Sequence, residues 1–302
     1  MNQLNMDITS TFSKEEILNM FLTFYDTDWW INKTRTLQLL IEDGELLTKI
    51  NQDKILMKFD KEKLKRSYQY ELHMTSYHSS EALFGLLFAF LFEKDTPWVY
   101  LTEYRFENFN KLVEGIKNKG LGSIMKEEEI SKFIQWLFFA GVTKKEFDDY
   151  EKIENSIEFV NKYLKSLAAT LSDKKDYNSY KHGFRGLPIR SAITIQKQQV
   201  NVPPLESSGE ACLYLDFDFE NNNGSKKKRL KIVTKIYSYK TALNIIITNT
   251  QLIKNIIEVR KQMIIDKNNQ ITFGLFHDKK VKDIFHTELK DKPYHISKFQ
   301  IK

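Results

Sequence analysis

Apolar residues in the first two-thirds of this chain recur at three- and four-residue intervals, the spacing that lines one face of an α-helix. Ser13 and Glu16 are spaced as a capping box, in which the serine hydroxyl accepts from first-turn amides while the glutamate reaches back. Ile17, Leu18, Phe21, Leu22 and Tyr25 follow at helical spacing. Residues 36–50 predict a second helix, bent or broken at Asp43 and Gly44. Residues 61–93 predict the longest helix, ended by Asp95, Thr96 and Pro97. Residues 82–92 are apolar on nearly every face, so that stretch is expected to be buried all round, inside its own domain or at a dimer interface. Residues 101–117 and 127–139 predict two more helices. Thr143 with Glu146 forms a second capping box, which predicts the start of a helix or helix pair reaching about residue 170.

Beyond Pro188 the period changes. Pro203, Pro204, Ser207, Ser208 and Gly209 read as a linker or surface loop. Leu213, Leu215, Phe217 and Phe219 then alternate with Cys212, Tyr214, Asp216 and Asp218, as a strand requires. Residues 221–225 read as a turn and 230–237 alternate again, which predicts a β-hairpin over 211–237. A long helix over 241–265 and one more strand over 271–276 follow. The expected fold is therefore mostly α. A helical bundle over residues 1–188 is followed by a smaller α+β part over 189–302.

Composition fits this picture. Only 11 glycines and 5 prolines in 302 residues leave few forced turns and favour long helices. The length suits two domains. Net charge is +6, which permits a polyanionic partner without demanding one. Cys212 is the only cysteine, so neither a disulfide framework nor a CxxC zinc pattern can form. The first twenty residues carry no apolar signal-peptide core, and no apolar run approaches the ~20 residues of a membrane span. A cytoplasmic protein with no membrane partner is expected.

Phosphate-binding glycine loops, nucleophile elbows and HExxH motifs are all absent. Two clusters remain. In the first, Asn178 and His182 lie one helical turn apart, with Tyr177 beside them and Lys181 and Arg185 as nearby cations. An imidazole, an amide and two cations are a set that can act on a phosphodiester. The same residues also suit an ordinary helix end, where His and Lys satisfy the last carbonyls. In the second, His78 and Glu81 lie three apart on the long helix. They could join His182 around a metal, or form a polar contact in which Glu81 orients His78. No fourth ligand is identifiable, so neither a metal nor a cofactor is expected. The basic run over 226–231 could touch RNA or DNA, or be a solvated loop that protects a sheet edge.

On Asn178 and His182, and on the helix segment over 77–84, the chain resembles HEPN-domain proteins of prokaryotic toxins, phage-defence systems and CRISPR-associated nucleases. The family motif carries an Arg, a polar residue such as Asn, three further residues and a His. Here Tyr177 stands at the Arg position, so Lys181 or Arg185 would have to supply the cation. The resemblance, over about residues 70–186, implies a metal-independent endoribonuclease of a defence or toxin system. Two copies of the motif would meet in a homodimer, with RNA as substrate and its own 2′-hydroxyl as nucleophile. His182 would act on the proton in flight and Asn178 would orient the phosphate. The alternative it implies is a non-catalytic helical module that dimerises or binds a protein partner, with the hairpin part as sensor.

Overall fold

The computed structural model describes residues 11–51, 60–147, 149–181, 186–195, 205–222, 225–267, 270–276, 281–286 and 294–300. Helices α1 (Lys14–Phe24), α2 (Trp29–Glu42), α3 (Gly44–Asn51), α4 (Lys61–Phe92), α5 (Pro97–Glu103), α6 (Phe106–Lys119), α7 (Glu127–Phe138), α8 (Tyr150–Ser172) and α9 (Lys175–Lys181) come first. Strands β1 (Gly186–Ile195), β2 (Leu205–Asn222) and β3 (Ser225–Tyr237) form an antiparallel sheet in that order. Helix α10 (Tyr239–Arg260) continues into a π-helical turn, Lys261–Ile265. Strand β4 (Gln270–Phe276), helix α11 (Val281–His286) and strand β5 (Tyr294–Gln300) complete the chain, with β4 and β5 antiparallel. The protein is mostly α, with a smaller sheet-bearing part after the long helices.

Contacts along the backbone divide the chain into two compact units, each drawn from separated stretches. The first comprises Met1–Trp29, Ser79–Ser172 and Ile247–Lys302; the second comprises Trp30–His78 and Asp173–Ile246. Positions 188 and 189, where the sequence pattern changes, both lie in β1 of the second unit.

Local signals explain most boundaries. Ser13 Oγ accepts from the Glu16 amide at 3.2 Å while Glu16 Oε2 accepts from the Ser13 amide at 2.8 Å, closing the expected box. At Thr143 the glutamate half of the second box forms, Glu146 Oε2 accepting from the Thr143 amide and hydroxyl while the Glu146 amide donates to the Thr143 carbonyl, but it caps only a turn, and α8 starts later, at Tyr150. Pro97 opens α5 rather than merely ending α4, because a proline at the first helical position has no amide to waste. Residues 101–117 are two helices, broken at Tyr104 and Arg105. Strand β2 begins at Leu205, so Ser207, Ser208 and Gly209 are strand rather than loop; Pro203 and Pro204 lie outside the described residues.

Within the first unit, Leu83, Phe84, Leu87, Phe88 and Ala89 of α4 are fully buried, as an all-apolar helix requires. Each buried Leu or Phe contributes about 1.5–3 kcal/mol. Phe159 of α8 stacks on Phe276 of β4, with ring centroids 4.7 Å apart. The edge of β4 turned away from β5 is closed by side chains. The Asn255 amide donates to Gly274 O at 2.7 Å and accepts from Gly274 N at 2.9 Å. Gln262 accepts from Thr272 N, and Ser156 accepts from Phe276 N, both at 2.8 Å. Alternate residues of the strand thus find amides and a hydroxyl where a neighbouring strand would stand. Gly274 permits this approach, because a Cβ there would lie 2.7 Å from Gln251 Nε2.

Arg260 ends α10 inside the first unit. Its guanidinium donates to Leu137 O at 2.7 Å and Trp136 O at 3.3 Å, two carbonyls the end of α7 leaves unpaired. It lies 4.3 Å from the Trp136 ring centroid and 4.6 Å from that of Phe90. Burial pushes its pKa down to about 9, which leaves it charged at neutral pH. Arg260→Leu is expected to lower unfolding stability in urea by about 3 kcal/mol, from the loss of charge-assisted bonds and the exposure of two buried carbonyls. Arg260→Lys is expected to recover little of it, because an ammonium cannot reproduce the planar fork.

Candidate functional site

The second unit builds its polar centre from three stretches far apart in sequence. Helix α4 brings Glu71, His73 and Tyr77; α9 brings Asp176, Tyr177 and Tyr180; β3 brings Lys235 and Tyr237. Asp176 is fully buried. Its carboxylate lies 3.0 Å from His73 Nε2 and accepts from Lys235 Nζ at 3.1 Å and from the Tyr77 hydroxyl at 3.3 Å. Lys235 also donates to the Tyr77 oxygen at 3.0 Å and pairs with Asp173. The His73 ring stacks flat on Tyr237, with centroids 4.5 Å apart.

The charges settle each other's protonation. Burial alone would raise the Asp176 carboxyl, but the His73 hydrogen bond and the Lys235 charge hold it below its ordinary value. Burial pulls His73 below its usual 6.5, against the opposing pull of Asp176. His73 is therefore neutral at pH 7, and because a carboxylate only accepts, Nε2 carries the ring proton. Burial alone would lower Lys235, but Asp176 and Asp173 keep it above its usual value. Burial, and next the Asp176 charge, push the Cys212 thiol up to about 12, so no thiolate is available there.

Helix α9 is fixed to α4 along one face. Tyr177 is fully buried and stacks on Tyr77 at 5.1 Å, with His78 edge-on at 5.0 Å. The Tyr180 hydroxyl donates to Glu71, which also pairs with Lys33 at 2.7 Å. Gly186, at the start of β1, passes so close to Tyr70 that a Cβ would fall 2.4 Å from its hydroxyl. Asn178 is half-buried and lies on the side of α9 away from Asp176 and Tyr180. Lys181 is exposed, with Nζ 4.3 Å from the Tyr177 ring centroid.

Of the sequence candidates, Tyr177, His78 and Lys181 thus come together, as an aromatic stack with a cation over it. Asn178 is half-buried, three residues before Lys181 and so on the same side of α9. His182 and Arg185 lie outside the described residues. Glu81 is half-buried in the first unit, where its charge adds to the burial that raises Tyr104. Among the described residues no three His, Cys, Asp or Glu side chains gather as a metal site would need. The buried cluster itself escaped sequence reasoning. His73 and Tyr77 share a helix face by their spacing, but nothing in the sequence pairs them with Asp176 or Lys235, which lie 103 and 158 residues away respectively.

Removing one member of a buried ion pair costs about 3–5 kcal/mol, most of it from the stranded partner. Lys235→Met and Asp176→Asn should each lower stability by about 3 kcal/mol in urea titrations, and the double variant by clearly less than their sum. Acid should act through His73 first. Its folded pKa is depressed, so the folded state takes up the proton less readily, and stability is lost as pH falls below 6.5. Asp176, also depressed, adds a further loss below 3.8, and Lys235, raised, keeps its contribution until pH climbs past 10.5. Melting temperature should therefore plateau between those limits, and in His73→Phe the decline that starts near 6.5 should shrink.

No protein-family model, no curated protein and no solved structure matches this chain, and among its described residues no helix is long and apolar enough to cross a membrane.

Proposed function

We propose that the chain is a non-catalytic binding module, in which α4 and α9 form a rigid base that holds the β1–β3 sheet for a macromolecular partner. The observation that carries this reading is Tyr177. It occupies the position where a HEPN nuclease has its arginine, and it is fully buried under the Tyr77 and His78 rings. The tyrosine itself offers a phosphodiester no charge, and the cation nearest to it, Lys181, lies over its ring. The acid and base groups next to it, Asp176, His73 and Lys235, are engaged with one another inside the unit. Groups committed in this way hold elements together; a general acid or base needs reach to a substrate proton.

The metal-independent endoribonuclease of a defence or toxin system stands as the second reading. It is favoured by the accessible side of α9, where half-buried Asn178 and exposed Lys181 directly precede His182. One experiment separates the two. Purified protein is incubated with structured and single-stranded RNA in the presence of chelator, beside His182→Ala. The module reading expects no cleavage above that variant in either RNA. Cleavage by the wild type that disappears in His182→Ala overturns it in favour of the nuclease.

A further inference from the structure

The β1–β3 sheet is amphipathic in an unusual sense: its inner face is polar and aromatic, and its outer face is apolar. The inner positions carry Cys212, Tyr214, Lys235 and Tyr237, which meet α4 and α9 through Asp176 and His73. Farther along the same face the strands pair opposite charges, with Lys231 3.6 Å from Asp216. The alternate positions face the other way. Leu187, Leu215, Phe217, Leu230, Ile232 and Ile236 are 46–68% exposed. Register places Leu215 beside Ile232, Phe217 beside Leu230 and Leu187 beside Leu213, so these side chains form one continuous surface over three strands.

We propose that this outer face is a self-association surface, on which the sheet of a second copy of the chain packs face to face. The inference rests on the binding-module reading and names its partner. Two observations select a second copy. The six side chains leave roughly 600 Å² of apolar surface open, at the upper end of what the largest patch of a monomer shows. Two such faces bury about 1,200 Å² together, which reaches the lower bound of a specific interface. The second observation is charge. Positions 187, 189, 213, 215, 217, 230, 232, 234 and 236 hold no ionisable residue. A nucleic acid needs cations, which these nine positions lack, the same-parity lysines of β3 coming only at Lys228 and Lys226, whereas an identical face is matched in size and polarity. Aligned sheets pack about 10 Å apart, a separation that interdigitating Leu, Ile and Phe side chains fill.

The test uses sedimentation velocity of the full chain from sub-micromolar to about 100 µM, the range in which interfaces of this size associate. The wild type is expected to shift from monomer to dimer. Ile232→Glu, at the most exposed position of the face, is expected to remain monomeric throughout with an unchanged melting curve below the association range. Phe24→Glu, an equally conspicuous apolar position in the first unit, is expected to dimerise as the wild type does. Cys212 is fully buried, so Ile232→Cys presents one accessible thiol, and a short bis-maleimide is expected to join two chains there. A wild type that stays monomeric at the highest concentration overturns the proposal. So does a dimer that survives Ile232→Glu or fails to cross-link through Ile232→Cys. RNA cleavage by a dimer that meets these expectations would overturn the module reading alone and leave the surface standing.

Discussion

The second unit depends on a single buried carboxylate. Asp176 has no access to water, and an isolated charge in that position would be prohibitive. It is tolerated because an imidazole, an ammonium and a phenol converge on it from α4, β3 and α4 again. The cost of burying the charge and the gain of pairing it nearly cancel, so the cluster adds little net stability. What it supplies is exclusivity: α9 and β3 have one place on α4 where every charge is answered, and any shifted register strands one of them. The aromatic contacts around it, Tyr177 on Tyr77 and His73 on Tyr237, fill the surrounding space with apolar area that does favour the folded state.

The first unit solves a comparable problem without charge pairs. Its polar obligations are backbone ones: the end of α7 and the free edge of β4. Arg260 answers the first with a guanidinium set between two rings, and no carboxylate is needed because helix carbonyls already present negative potential. Asn255, Gln262 and Ser156 answer the second by placing side-chain amides and a hydroxyl at alternate residues of the strand. An edge covered in this way is closed to strand addition.

That sheet inverts the usual arrangement, in which the apolar side of a strand is the core side. The inversion follows from Lys235 and Tyr237. Their alternation with Thr234 and Ile236 on β3 means that committing the lysine to Asp176 turns the isoleucine outward. The same register turns Leu215 and Ile232 outward together. Burial of the charge cluster and exposure of the apolar face are thus one decision, made once by the side-chain period of a strand.

Helix period, capping boxes and strand alternation are local properties, so they were legible along the chain. The Ser13 cap, the long helix beginning at Lys61, the all-round burial of Leu83 to Phe90 (though not of Phe92, at the end of the apolar run) and the Leu213 to Phe217 alternation needed only neighbours within a few residues. The break at Tyr104 and the strand identity of Ser207 to Gly209 were not, because packing and pairing overrode weak local preference. Alternation told which residues share a face, but not which face is inside. That depends on Asp176 meeting His73 and Lys235, contacts whose partners lie 103 and 59 residues away. A one-dimensional pattern carries no record of such a meeting. The sequence by itself determined the elements and their amphipathic faces. Only the tertiary structure decided that Tyr177 is interior, that the ionisable groups beside α9 answer one another, and that an apolar sheet face is left open, because each follows from where a buried charge finds its counter-charge.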